Sequence, residues 1–363
     1  MPASPPLPFT HAALRAALSE RCLAPSTWRS GLHLALDLAA LAGLYALSLQ
    51  VASPVLWVPL AFLQGTFLWA LFVIGHDCGH GSFSRHAWLN EWIGHLCHTP
   101  LLVPYHAWRL SHRIHHRRAG DLERDEGWFP LTEAQHRALP RSVRWLRTRG
   151  LFLVFPLYLL RRAPERAGSH YDARDAMFPA QDRARVRRSV RACALFAAGL
   201  GAFAVFAGPG AVARFWVLPW LVACGWIAVV TYLHHSDEAV PWYRGAGWSW
   251  LHGALSTTDR RYGPFERLHH DAGCHVVHHL FPAIPHYRLR EAAALLRPLL
   301  GEHYLLSRES VPRALWRRLR WPEVVPAEGH RVYAAPLVPP RPAEAPPARG
   351  SARSGAGSSP ATT

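Results

Sequence analysis

The chain has 363 residues, enough for one large domain or two smaller ones, and half of them are hydrophobic, including 16 Trp. Its formal net charge is +16, and all 40 basic residues are Arg. Such a charge points to nucleic acid, an anionic membrane or an acidic protein partner, and the apolar segments decide between these. Histidine is as abundant as all carboxylates together, 24 against 24, so carboxylates are not the preferred polar side chain.

The start, MPASPPLPF, lacks a basic stretch followed by an apolar core, so no signal peptide is expected and residues 1–30 form an N-terminal segment. Four segments are then apolar over about the length a bilayer needs. They lie at about 32–50, 54–75, 190–208 and 211–233. Core helices of soluble proteins rarely run this far without a polar face. A shorter run, LFLVFPLYLL at 151–160, is too short to span and reads as an interfacial or re-entrant piece. The links within the first and second pairs of spans carry no charge, whereas residues 76–189 carry 19 Arg and the chain after 234 is again Arg-rich. The excess of positive charge places both termini and the long middle segment on the cytoplasmic side. The first span would act as its own insertion signal. No CxxC occurs among the six cysteines, and reduced thiols are expected for Cys78, Cys97 and Cys274. The stretch 331–363, rich in Pro, Ala, Gly and Ser from about 335, is expected to be a disordered tail.

Three distant stretches repeat one pattern: HDCGH at 76–80, HRIHH at 112–116 and HVVHH at 275–279. All three fall on the expected cytoplasmic side, and TYLHH at 231–235 ends the fourth span as His76 ends the second. On a helix each residue turns about 100°. His112 and His116 therefore share a face and can chelate one metal, while His115 can point to a second. His275, His278 and His279 repeat that arrangement, and His76 with His80 supplies another pair at i, i+4. Two such HxxHH helices face to face make a two-metal cage, and imidazole suits Fe, Cu, Zn or Ni. His11, His33, His136 and His170 have no partner at helical spacing and read as structural. His95 and His98 read as packing or interfacial residues. His269 and His270 precede the third box closely, so both read as either structural residues or residues beside the ligands or substrate. A zinc-protease reading fails because Asp77 stands where HExxH needs Glu and because the other histidines stay unexplained. Nucleic-acid binding explains the Arg but neither spans nor boxes.

HDCGHGSFS at 76–84, LVPYHAWRLSHRIHH at 102–116 and DEGWFPLT at 125–132 resemble the first two boxes, and their links, of the membrane fatty acyl desaturases. VTYLHH, PWYRGAGWSWLHGALSTTDRRYG and HHDAGCHVVHHLFPAIPHYRL resemble their third-box region, and the likeness is nearest to the omega-3 branch of the acyl-lipid type. It covers about 55–290. Cys274, where Thr is usual, and the short AGD link at 119–121 depart from the pattern and bear on regiospecificity.

The resemblance implies an all-α integral membrane protein. Four transmembrane helices and a cytoplasmic helical cap would make up a membrane domain over 31–330. It implies two non-haem irons held by His76, His80, His112, His115, His116, His235, His275, His278 and His279, with His235 preferred over His234. Asp77 and Asp271 become candidates for contacts that fix the imidazole tautomers, beside His269. The implied reaction is O2-dependent insertion of a double bond into a membrane-lipid acyl chain. The omega-3 position (linoleoyl to alpha-linolenoyl) is expected, with a delta-12 desaturase or a di-iron hydroxylase or ketolase as the nearer alternatives. A membrane metal transporter is the rival from another class, but the ionisable residues within the spans, His33, Asp37 and Arg214, are unclustered. No nucleotide, iron–sulfur or haem motif is present, so two electrons are expected from an external ferredoxin or cytochrome b5-like donor. The expected location is the bacterial inner membrane.

Overall fold

A computed structural model describes residues 4–162 and 168–337. Four helices in it are long and apolar enough to cross a membrane: Thr27–Gln50, Pro54–His80, Ala180–Ala207 and Pro209–His235. The two helices that end in clustered histidines, Pro54–His80 and Pro209–His235, are the buried pair. Helix Thr27–Gln50 and above all Ala180–Ala207 expose most of their apolar surface, as lipid-facing helices do. Each helix outruns the segment expected from hydropathy. The third begins about ten residues earlier, because Arg183, Arg185, Arg187 and Arg188 continue the helix beyond its apolar part. The second continues through its histidines to His80.

We label helices in chain order: α1 is Thr27–Gln50 and α2 is Pro54–His80. Pro54 opens α2, where its missing N–H costs nothing, and Gly81 ends it at φ 77°, a left-handed conformation that suits glycine. After the turn come α3 (Ala87–His98) and α4 (Tyr105–Arg118), which carries the second box. The short apolar run forms α5 (Leu151–Leu160), packed along the last span with Phe155 and Leu159 buried and Phe152, Leu153, Leu157 and Leu160 exposed. The third span contains α6 (Arg183–Ala207); the fourth ends in α7 (Leu218–His235), entered through a π-helical turn at Ala213–Val217. The third box forms the short α8 (His275–Leu280), followed by α9 (Leu289–Leu300) and α10 (Val311–Arg320).

Helices α2 and α7 run in the same direction and are pressed together. A Cβ on Gly65 would stand 2.4 Å from the Pro219 carbonyl oxygen and from Val222 Cβ, so only glycine permits this approach. The closeness brings His76 and His235, at the ends of their helices, to one level. At the opposite ends Arg214 donates to the carbonyls of Ser48 and Val51, satisfying acceptors that α1 leaves open at its C-terminus.

The expected tail needs a correction. Glu323–Val325, Arg331–Tyr333 and Ala335–Pro336 are strands that staple the loops after the second and fourth spans. The first of these pairs in parallel with Leu131–Thr132 and antiparallel with Ala335–Pro336; Arg331–Tyr333 pairs antiparallel with Pro241–Tyr243. Ordered chain thus extends to Leu337, since backbone pairing and burial of Val332 and Ala334 outweigh the local composition. The rest of the predicted tail lies outside the described residues. The N-terminal segment also packs: Leu14, Leu18 and Cys22 are buried against Leu280, Ile284 and Leu296 beyond the third box.

Candidate metal centre

The three boxes and the end of the fourth span converge. His76 and His80 leave α2 one turn apart, with ring centroids at 4.6 Å. His112 and His116 leave α4 on one face, with Nε2 atoms 3.0 Å apart, and His278 of α8 brings its Nε2 to 3.1 Å from His116. Ring nitrogens of His76, His80, His112, His116 and His278 all fall within 4.8 Å of one another. A second group, His115, His235 and His279, meets the same limit. His275 joins it, with Nε2 at 3.3 Å from His235 and 3.2 Å from His279. Each HxxHH box therefore divides between two centres, as the 100° rotation requires. His112 and His116 go to the first and His115 to the second; His278 goes to the first and His279 to the second.

The spacing fits metal ligands. Two nitrogens about 2.1 Å from one ion, at angles between octahedral and tetrahedral, stand about 3.0–3.4 Å apart. The Nε2 pairs lie at 3.0–3.3 Å. His80 Nε2 is buried and has no hydrogen-bond partner among the described residues. Burial, followed by repulsion from neighbouring imidazoles, holds His112, His116, His275, His278 and His279 well below the usual histidine pKa. They are thus neutral at pH 7, the form that binds a metal.

Two of these rings are oriented from behind. His115 Nδ1 lies 2.6 Å from the Asp125 carboxylate, which also accepts the amides of Gly120 and Gly127. A Cβ on Gly127 would lie 2.5 Å from His115 Nδ1, so glycine is needed for this loop to close over the ring. His235 directs Nδ1 at the Ser256 carbonyl, 3.3 Å away. His234 turns from the site: its Nδ1 meets the Thr258 carbonyl at 2.5 Å and its Nε2 meets Tyr262 Oη at 3.0 Å. The choice of His235 over His234 agrees with this geometry. Across the chain, Asp259 accepts the Val276 amide at 2.8 Å and so caps the start of α8.

The residues expected to steady the ligands divide. Asp77 lies 3.7 Å from His76 Nδ1 but makes its short contacts with His286, at 3.1 Å to the amide and 2.8 Å to Nδ1. Asp271 instead pairs with Arg290 at 2.5 Å. His269 sits among Trp69, Trp226 and Tyr262, with both ring nitrogens buried and unpartnered, and burial lowers its pKa to about 3. Sequence reasoning missed Asp125. Its signal was present in the DEGWFPLT stretch, but ten residues beyond His115 correspond to no helical repeat. His33 finds distant partners, His270 and His286, which no spacing rule links to it.

One cavity of about 540 Å³ runs past the site. His76, His112, His115, His235, His275 and His278 lie in its wall, beside Trp69, Phe72, Val73, Phe155, Tyr158 and Ile227. Arg147, Arg161 and Arg318 line it as well. An apolar lumen with a few convergent polar groups is the form of a site for a largely hydrocarbon ligand.

Four spanning helices that deliver nine imidazoles in two groups to an apolar cavity define a histidine-caged membrane oxidoreductase. The comparisons specify it further. The pattern of the fatty acid desaturase family matches residues 52–310, and the chain belongs to that family. It is 43% identical over 336 residues to an sn-1 acyl-lipid omega-3 desaturase (ferredoxin) of Synechocystis sp., covering 92% of each chain. It is 43% identical over 314 residues to a chloroplastic sn-2 acyl-lipid omega-3 desaturase (ferredoxin) of Helianthus annuus, covering 85% of this chain and 71% of that one. Against an endoplasmic reticulum acyl-lipid omega-3 desaturase (cytochrome b5) of Arabidopsis thaliana the identity is 44% over 301 residues, covering 82% and 78%. The protein is thus an integral membrane fatty acid desaturase, and the transporter reading falls away.

Proposed function

We propose that this enzyme inserts a cis double bond at the omega-3 position of a membrane-lipid acyl chain that is already unsaturated, such as a linoleoyl chain. The observation that carries the reading is the placement of both imidazole groups in the wall of one apolar cavity. The names of its relatives support omega-3 over delta-12 desaturation. The first iron is assigned to His76, His80, His112, His116 and His278, and the second to His115, His235, His275 and His279. The donor set suits iron: the imidazoles are clustered, buried or half-buried, and spaced for a shared ion. Bound iron with O2 would supply the oxidising power that unactivated methylenes demand. Overall, –CH2–CH2– with O2, two electrons and two protons gives –CH=CH– and two waters.

The protein's own work is positional. Phe72, Phe155 and Ile227 confine the acyl chain and exclude water, so the same two carbons return to the histidines at each turnover. Asp125 fixes the His115 tautomer with Nε2 free. Lumen shape selects the position of attack, and one methylene in an apolar pocket is worth about 1–3 kcal/mol, so some leakage to neighbouring substrates is expected. The active side is the cytoplasmic face of a bacterial inner membrane. The Arg-rich surface there attracts an acidic external carrier, ferredoxin or a cytochrome b5-like protein. Feeding oleate and linoleate separately to a host lacking both activities tests the assignment. Alpha-linolenate from linoleate, with little linoleate from oleate, is the expected result. Linoleate as the main product places the enzyme in the delta-12 class, and a hydroxylated product among the hydroxylases.

A further inference from the structure

A third group of imidazoles stands beside the cage. His33 lies near the start of α1, His270 in the loop before α8, and His286 in the turn after it. One ring nitrogen from each falls within 4.8 Å of the others. The rings of His270 and His286 are 4.4 Å apart, and His33 stands 4.8 Å from His286 and 5.6 Å from His270.

Two of the three are oriented by carboxylates. His270 Nε2 meets Asp37 at 2.6 Å, and His286 Nδ1 meets Asp77 at 2.8 Å. This is the arrangement that fixes tautomer and direction in metal-binding histidines. It leaves His286 Nε2 buried and, among the described residues, without a hydrogen-bond partner. The backbone supports the placement at a cost: His270 and Asp271 both hold left-handed φ values, 49° and 54°. Strain of this kind persists where the surroundings impose it, and it gathers at binding sites.

Charge points the same way. Asp37 and Asp77 are buried, 7% and 4% exposed, and among the described residues their ion-pair partners are histidines alone. A dication held by the three imidazoles would lie close to both carboxylates.

We propose that His33, His270 and His286 form a third, mononuclear site for a divalent transition metal, with zinc the ion best matched to three imidazoles and an open position. Its role is to latch α1 to the two segments that flank the third box. These lie over 230 residues away in sequence, as the His270–Asp37 contact itself shows (separation 233). The three form a group of their own, His270 and His286 lining the same cavity as the cage, and Asp77 links the two groups, 3.7 Å from His76 and 2.8 Å from His286.

The test uses the purified full-length protein, iron-loaded, with zinc alone as the probe. Wild type is expected to take up one zinc per chain with three imidazole nitrogens at about 2.0–2.1 Å in zinc-edge X-ray absorption. His33→Ala is expected to lose that zinc while keeping its iron. Asp37→Asn is expected to bind it ten- to a hundredfold more weakly. The absorption measurement on wild type stands even if a variant fails to fold. No zinc beyond the iron complement, a zinc bound by fewer than three imidazoles, or zinc retained in a folded His33→Ala overturns the proposal. Because zinc uptake is scored by the difference between wild type and variant, it does not depend on how many irons the cage holds.

Discussion

Asp125 shows how much of the histidine cluster rests on a carboxylate behind it. It is fully buried and its oxygens hold His115 Nδ1 at 2.6 Å, Gly120 N at 3.1 Å and Gly127 N at 2.8 Å. Asp125→Asn can present an N–H to His115 and so favour the wrong tautomer. The expected result is a ten- to hundredfold loss of metal affinity or activity in an otherwise folded protein, read by iron titration and turnover. The cage also sets a pH dependence. Burial and mutual repulsion hold His116 and His278 well below 6.5 in the fold, so they stay neutral where their unfolded counterparts take up protons. The unfolded chain binds more protons as pH falls through about 6.5, and stability falls with it. Metal-free protein should therefore melt at lower temperature at pH 5.5 than at pH 7.5. The difference should shrink in His116→Gln/His278→Gln. A melting temperature independent of pH across that window would contradict the buried, neutral cage.

Among the elements, the contact of α2 with α7 decides whether the boxes meet. Gly65 is its narrowest point, with the Pro219 carbonyl and Val222 at 2.4 Å from any added Cβ. Gly65→Val should push the helices apart at a cost of about 1–3 kcal/mol or more. Both melting temperature and iron content should fall, because His76 and His235 ride on those helices. A Cβ on Gly43 in α1 would meet nothing within 4 Å, and Gly43→Ala should leave both unchanged. Equal losses in the two variants would show that the helix contact is not what sets the cage.

For the whole molecule, the direction of insertion follows from the uncharged hairpins and the Arg-rich remainder. A reporter fused after Val51 should lie on the side opposite to one fused after His330. The same side for both would break the four-span arrangement. The exposed apolar faces of α1 and α6, with Leu36, Leu49, Leu195 and Phe206 turned outward, fit a lipid surround rather than water. The cavity that passes the histidines is lined by residues of this same helical body.

Much of this protein was legible in its sequence, because the deciding signals are local. A span is a run of apolar residues, and a box is a pair or triplet at helical spacing; both are complete within about twenty residues. The four apolar helices and the shared faces within each box followed from those periods, whereas His235 was named from the family resemblance. What tertiary structure alone decided depends on contacts between segments far apart in the chain. The capture of His115 by Asp125, the turn of His234 toward Thr258 and the strands that carry the chain to Leu337 are of this kind. So is the meeting of His33 with His270 and His286. Asp271, sequence-adjacent to the third cluster, faces Arg290 instead because a left-handed backbone at 270–271 points its side chain away. Sequence spacing specifies which side chains share a face of one helix. Which faces then meet is set by packing between helices, here by a glycine at 65 that lets two of them touch.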